Sequence, residues 1–543
     1  QPIIRGMSGP RVKILKNGVV NRDVSGLGVD HLNDVDLHDI SQVEIVKGPS
    51  SLLYANGTIG GIINIVDDCI SALNYELPEI SVGYETQSVN DGNSENFNFK
   101  NNINGFNVNF GYKNIDFGNY DIPSGAILHE EEDHDDHDDH DEDEHHDEDM
   151  GFLNNSDYAV EATKFGISKV GDWGYVGFSV DNLESVYGIP FHGDEHGDEH
   201  GDEHGDEEEH DEHGEERIFS TTDSESFTIK GSYNINGSLI NKIDFNYRDT
   251  DYSLTEDHAE EEHDEEEEHD EEEEHEEHSP TVFMNEAVEY GATFDISNDS
   301  STQKVVVNFV DEDNSIVGEE AFMNPANSKE FTIGYYLSKD LGIYDLDVGF
   351  RHDQIERSGS VTEEEHDDDH GDEHGDEHGE VDYYNIDDST NSFAVTLGRS
   401  LTDNLGVSLG YASVERLPSS IELFMNGPHM ATGRFEVGDP NLNSETSNNF
   451  DITFNFDNGD FYAYASFYIT DVDNYIALID EEDDHMDEDE HHEDEDDHHE
   501  EEGEHHEDEH DDHGHGNLIH ANYMQEDAEF DGYEIEFGRS FDL

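Results

Sequence analysis

From about residue 79 onward, apolar and polar side chains alternate in segments of seven to fourteen residues. Phe106, Val108, Phe110 and Tyr112 alternate with Asn107, Asn109, Gly111 and Lys113; later, Phe450, Ile452, Phe454 and Phe456 alternate with Asp451, Thr453 and Asn455. Period two with one apolar face predicts β-strands. The other face is Asn, Thr, Gly, Ser or charge in strand after strand, whereas a sandwich of this size would contain strands that read apolar more continuously. An all-β transmembrane barrel, with lipid outside and a wet lumen, accounts for the alternation.

The connections agree. Short turns at 101–105, 171–174, 234–238, 338–342, 401–404 and 457–460 alternate with long connections, as the two ends of a membrane barrel do. About 17 strands are expected. Trp173 and Tyr175, by the 171–174 turn, suit an interfacial girdle and would equally suit strand packing. Residues 1–70 read differently, as a small α+β domain. RVKILKNGVV predicts a hairpin turning at Asn17-Gly18. In VEIVKGPSSLLYANGTIGGIINIV a strand over 43–46 meets Gly48-Pro49, a helical turn over 50–55 follows, and Gly57, Gly60 and Gly61 punctuate entry into another strand.

Average composition points elsewhere: 32% hydrophobic residues and a formal net charge of -118 are those of a disordered chain. The average misleads. Residues 129–149, 192–216, 256–278, 363–380 and 480–515 are low-complexity runs that hold 31 of the 36 histidines and 80 of the 141 acids. Roughly 420 residues lie outside them, ample for a folded body. An even number of strands separates each run from the next (two, two, four and four), which puts all five at one end of the barrel. Cys69 is the single cysteine, excluding a disulfide framework and a thiolate cluster. No apolar stretch approaches the roughly 18 residues of a membrane helix. The chain opens at Gln1-Pro2-Ile3 without an initiating Met or signal peptide, as expected of a fragment or processed chain.

Carboxylates alone would suit Ca²⁺, Mg²⁺ or Mn²⁺, or serve only solubility; the histidines shift the expectation to Zn²⁺, Cu²⁺, Ni²⁺ or Fe. In HGDEHGDEHGDEH, His196, His200 and His204 recur every fourth residue, but Gly recurs as often and disfavours a helix. A flexible tether with many overlapping weak sites is expected, raising the local cation concentration and weakening as pH falls through about 6.5. With 23 Lys plus Arg against 141 acids there is no basic surface for nucleic acid. No nucleophile motif, phosphate loop or H-E-x-x-H occurs, so no enzyme is expected.

The stretch over 43–66 resembles the plug domain of TonB-dependent outer-membrane receptors, whose signature reads RGPxSxLYGxGAxGGxINI; Lys47 stands for the Arg, and Ala55-Asn56-Gly57 for the tight YG. Two further stretches are similar to the ZnuD-type zinc receptors. In VSGLGVDHLNDVD, Asp30 and His31 match an Asp-His pair; in ERLPSSIELFMNGPHMATGRFEVGDPNLNSETSNNFDI, His429 matches the histidine of a Gly-Pro-His-x-Ala-Thr core. YGIPFH, leading into the second run, resembles the same subgroup.

The resemblance implies a monomeric receptor in a bacterial outer membrane, surrounded by lipid. It implies a plug at 1–70, a barrel at 79–543 of about 22 strands when complete, with several beyond Leu543, and runs facing outside. Energy would come from a TonB-ExbB-ExbD complex, although the TonB box and the start of the plug are not in this sequence. The cargo would be zinc, which takes imidazole nitrogen and carboxylate oxygen, usually in a tetrahedron. Asp30 and His31 would offer ligands from the plug and His429 from the connection between Glu415 and Glu445. A fourth would come from SLTEDH, as Glu256 or His258. Without the resemblance, Asp30 reads as a turn residue and the two histidines as loop residues bonded to backbone; His38, His352 and His520 keep that reading. Two alternatives stand beside it. A receptor for a metal chelate, a siderophore or haem, would need Arg, Lys or aromatic contacts to an anion that the acidic field repels. A surface metal-buffering protein on a barrel anchor would need no plug.

Overall fold

The computed structural model describes residues 2–26, 31–33, 35–37, 39–123, 126, 151–190, 217–235, 237, 239–259, 279–318, 321–362, 381–481 and 518–541. A small sheet comes first, built from β1 (Val12–Lys16), β2 (Val19–Val20), β3 (Ile40–Val46) and β4 (Gly61–Asp67) in the order β2-β1-β4-β3. Asn17 and Gly18 turn the first hairpin with φ of 56° and 83°, the paired positive values that match the twist of the flanking strands. After Gly48-Pro49 the helical turn is a single 3-10 turn, Ser51–Leu53. Gly57 has φ 59° and lies against the barrel so closely that a Cβ would stand 2.8 Å from Arg416 Cγ, which explains the glycine there.

The wall begins with β5 (Glu79–Gln87), β6 (Gly92–Ile103) and β7 (Phe106–Phe117). Beyond a short pair, β8 (Tyr120–Asp121) and β9 (Phe152–Leu153), follow β10 (Tyr158–Gly171), β11 (Gly174–Gly188), β12 (Arg217–Asn234) and β13 (Lys242–Ala259). Then come β14 (Thr281–Asp295), β15 (Thr302–Val317), β16 (Ala326–Asp340), β17 (Asp345–Thr362), β18 (Val381–Thr402) and β19 (Leu405–Arg416). A helix, α1 (Ser420–Phe424), and a hairpin of β20 (Asn426–His429) and β21 (Arg434–Val437) interrupt the wall, which resumes with β22 (Glu445–Asp457), β23 (Phe461–Asp480) and β24 (Ile519–Arg539). Sixteen of these are wall strands, where the alternation suggests about 17, and each pairs antiparallel with the next from β5 to β24. Two, two, four and four wall strands separate successive acidic runs, so all five runs leave from one end. The β19–β22 connection that carries the hairpin lies at that same end.

The wall is polar inside and apolar outside. Asn107 and Asn109 are 2% and 4% exposed, and their amides donate to Leu73 O (3.0 Å) and Asp68 O (3.1 Å), whereas Phe106 between strand neighbours faces out at 46%. Phe178, Phe227, Tyr290 and Phe309 are likewise exposed outward, and Phe178–Phe227 and Tyr290–Phe309 pair across strands with ring centroids 6.3 and 5.1 Å apart. Such an inverted surface is stable where lipid covers it.

Candidate metal site between plug and barrel

The β20–β21 hairpin is built to hold His429. Gly433, at φ 64°, closes its turn, and Gly427 lies opposite Glu436 in the register. A Cβ on Gly427 would stand 2.9 Å from Phe322 Cα, so only glycine lets the 322 segment pack onto the hairpin; Asn426 N donates to Phe322 O at 2.7 Å. Phe322 then stacks on the His429 ring, centroids 4.6 Å apart. β21 pairs in parallel with the start of β24, and Arg434 bonds Asp480 at 2.7 and 2.9 Å, which fixes the hairpin to the wall.

His31 reaches this hairpin from the plug. It is 1% exposed, lies edge-on to Phe283 (4.8 Å), and stacks on His429, which is 2% exposed, with centroids 5.8 Å apart and planes 21° from parallel. His429 Nδ1 lies 3.0 Å from Glu436 Oε1. The Thr432 hydroxyl sits 3.0 Å from His429 O and 3.1 Å from the same carboxylate oxygen, while Glu436 Oε2 is buried with no hydrogen-bond partner among the described atoms. A carboxylate on one imidazole nitrogen orients the ring and raises the basicity of the other, the arrangement common behind metal-bound histidine. Two imidazoles on one tetrahedral Zn²⁺ would have centroids about 5 Å apart, given Zn–N of about 2.0–2.1 Å, so the pair needs to close by about an ångström or less.

Of the residues expected to meet here, the structure brings together His31 and His429. Glu256 is 4% exposed on β13; it pairs with Thr281, two residues from the Leu254–Phe283 pair that abuts His31. His258 follows on β13 opposite Ile218, its side chain outside the described residues. Asp30, His38, His196, His200 and His204 lie outside them too, as does nearly all of the five runs. His352 bonds Asn391 Oδ1 (3.0 Å), and His520 stacks on Phe435 (5.1 Å). No group of three or more His, Cys, Asp or Glu is assembled for a metal among the described residues. Glu436 escaped the sequence reading; its signal was a carboxylate seven residues after the histidine, across a Gly turn.

Elsewhere plug and barrel meet through charge. Arg11 bonds Glu445 and Ile476 O (2.6 Å); Arg416 also bonds Glu445, and grips Glu422 with both terminal nitrogens at 2.7 and 2.9 Å. Glu422 closes the capping box of α1 with Ser419, which ties the β19–β22 connection to this network. Burial raises its carboxyl pKa, but the Arg416 charge and hydrogen bonds outweigh that and hold it below the ordinary value. Lys16 pairs with Asp181 (3.0 Å), and Asp36 with Lys164 (2.6 Å).

Residues 81–543 match the family described as TonB dependent receptor-like, beta-barrel, and residues 1–62 match the TonB-dependent Receptor Plug Domain. A hemin receptor of Yersinia enterocolitica is 34% identical over 88 residues, 16% of this chain and 12% of the receptor. The vitamin B12 transporter BtuB of Vibrio vulnificus (strain CMCP6) is 28% identical over 85 residues, 16% of this chain and 14% of the transporter, so each match spans a small part of its relative. Among solved structures, the copper transporter OprC superposes with a TM-score of 0.66 at 13% identity, covering 100% of this chain and 72% of that one. The FrpB iron transporter of Neisseria meningitidis superposes with 0.63 at 12%, covering 99% and 71%. At such identities the likeness is one of fold. With both family regions matched in order and a plug sheet seated against a sixteen-strand wall, the chain belongs to the TonB-dependent receptors.

Proposed function

We propose that this receptor imports a divalent metal across the outer membrane, with zinc as the ion its buried site suits best. The observation that carries the reading is the His31–His429 pair, 5.8 Å apart, one ring from the plug and one from the barrel, with Glu436 behind the second. An ion held by both rings would bridge plug and barrel, and movement of the plug would pull its ligands apart. Imidazole selects Zn, Cu, Ni or Fe over Ca²⁺ and Mg²⁺. Asp30, beside His31 in sequence, and Glu256 or His258 would complete the set. The runs share an end with the hairpin, which supports the reading that they gather cations outside the cell and pass them to it. A TonB-ExbB-ExbD complex would supply the energy.

A chelate is the second reading, favoured by the local match to a hemin receptor. Against it, Phe283 and Phe322 close around the histidines, and the cavity of about 230 Å³ between plug and barrel falls short of the ~300–1,000 Å³ of a small-molecule pocket. Uptake of radioactive zinc by cells expressing the full chain tests the choice. The wild type should accumulate free zinc, and His31→Ala with His429→Ala should not. Uptake that needs an added chelator, or that ignores both substitutions, would select the other reading.

A further inference from the structure

The cavity of about 230 Å³ is lined from the plug by Lys13, Arg22 and Asp23 and from the barrel by Asn285, Glu289 and Glu312. A smaller one of about 40 Å³ shares Asp23 and Asn314 with it and reaches Val24, Ile316 and Met323 of the apolar cluster around the histidines. Glu289 on β14 and Glu312 on β15 face the lumen side by side, separated in the register by the Ala287–Glu312 and Glu289–Val310 pairs. The Arg22 guanidinium lies between them, 2.8 Å from Glu312 Oε2 and 3.4 Å from Glu289 Oε2. Their other oxygens accept from Asn285 Nδ2 (3.0 Å) and Asn308 Nδ2 (2.9 Å). The amide oxygen of Asn285, a residue 3% exposed, has no hydrogen-bond partner among the described atoms, nor has the Ser328 hydroxyl, at 4% exposure on the same cavity.

Two carboxylates share one guanidinium, with Lys13 of the plug on the same cavity, and the orphaned amide oxygen adds a third hard donor. We propose that Glu289, Glu312 and Asn285 form a second, oxygen-lined station for the divalent cation, filled by Arg22 while the plug is seated and opened when the plug shifts. The proposal rests on the cation-import reading above and names the step after the histidines. Lys13 and Arg22 are both carried by the plug, so a shift that withdraws them leaves Glu289 and Glu312 as two like charges side by side on the wall, a state that recruits a cation. A divalent ion arriving there competes with Arg22 for the same oxygens, so cargo and plug exchange places. Carboxylate and amide oxygens hold transition metals less tightly than imidazole does, which suits a site the ion must leave.

Arg22→Gln opens the station without a shift of the plug. Crystals of the full chain carrying Arg22→Gln and soaked in manganese chloride, an oxygen-preferring probe, should show an anomalous peak between Glu289 and Glu312. The peak should be missing from the wild type and from Arg22→Gln with Glu312→Gln. An Arg22→Gln crystal without it overturns the proposal. Should that variant fail to fold, Glu289→Gln alone decides: zinc uptake should fall about tenfold with tight zinc binding unchanged, and unaltered uptake overturns the station. Absence of zinc uptake by the wild type would sink the import reading instead, while the manganese peak would still judge the station.

Discussion

Plug and barrel meet in two kinds of zone. At the loop end, His31 and His429 sit beside Phe283 and Phe322, with the Glu436 carboxylate bonded to His429. In the lumen, Arg11, Arg416 and Arg22 meet Glu445, Glu422, Glu289 and Glu312. Both are buried, yet they use burial in opposite ways. In the charged zone the protein's own cations already answer its carboxylates, and the result is a clamp. In the histidine zone the hairpin's own cation, Arg434, spends its hydrogen bonds on Asp480 and Thr432 O, and the His429 ring takes a carboxylate, Glu436, in an apolar setting that suits a metal ion. The chain's -118 charge therefore describes its runs and says little about its interior.

Breaking the clamp should have the largest effect. Glu445 is 0% exposed and shared by two arginines; Glu445→Ala leaves buried Arg11 without its carboxylate, while Arg416 keeps Glu422, and should cost about 3–5 kcal/mol, read from unfolding of the detergent-purified receptor. A loss under about 1 kcal/mol would mean water screens this zone and the contrast is false. In the histidine zone, Glu436→Gln should weaken zinc binding about 10–100-fold, measured by chelator competition, with thermal stability nearly unchanged. An equal loss in both quantities would make Glu436 a structural partner only. The smallest effect sharpens the contrast by pH. Glu422 has a folded-state pKa below its ordinary 4.5, so its contribution is complete above that value and is lost as pH falls through the folded pKa. The stability gap between wild type and Glu422→Gln should be flat from neutral pH to about 5 and shrink below about 4.5. A gap that shrank nearer neutrality would point to histidine instead.

Much of the architecture was legible in the chain. Alternation such as Phe106 to Tyr112 declares a strand whichever face is inside, and the polar partner residues, Asn107 and Asn109, declared a wet interior. Asn17-Gly18 fixed its turn by backbone preference alone, and the even spacing of the runs fixed their common end. The site was legible only through resemblance. Nothing local brings His31 within 5.8 Å of a residue nearly 400 positions later; that meeting depends on the plug seating inside the wall. Arg22 between Glu289 and Glu312 is hidden for the same reason, since its partners sit on two strands far along the chain. The alternation suggested about 17 strands and the wall has sixteen; β8 and β9, two residues each on either side of the first run, pair with each other without joining the wall.

Competitive zinc titration of the purified full chain, wild type against His31→Ala with His429→Ala, tests the central claim most directly. The account predicts one tight site in the wild type that the double substitution removes, while a population of weaker sites remains. A tight site that survives both substitutions would contradict it, and would place the receptor's cargo somewhere other than the histidine pair.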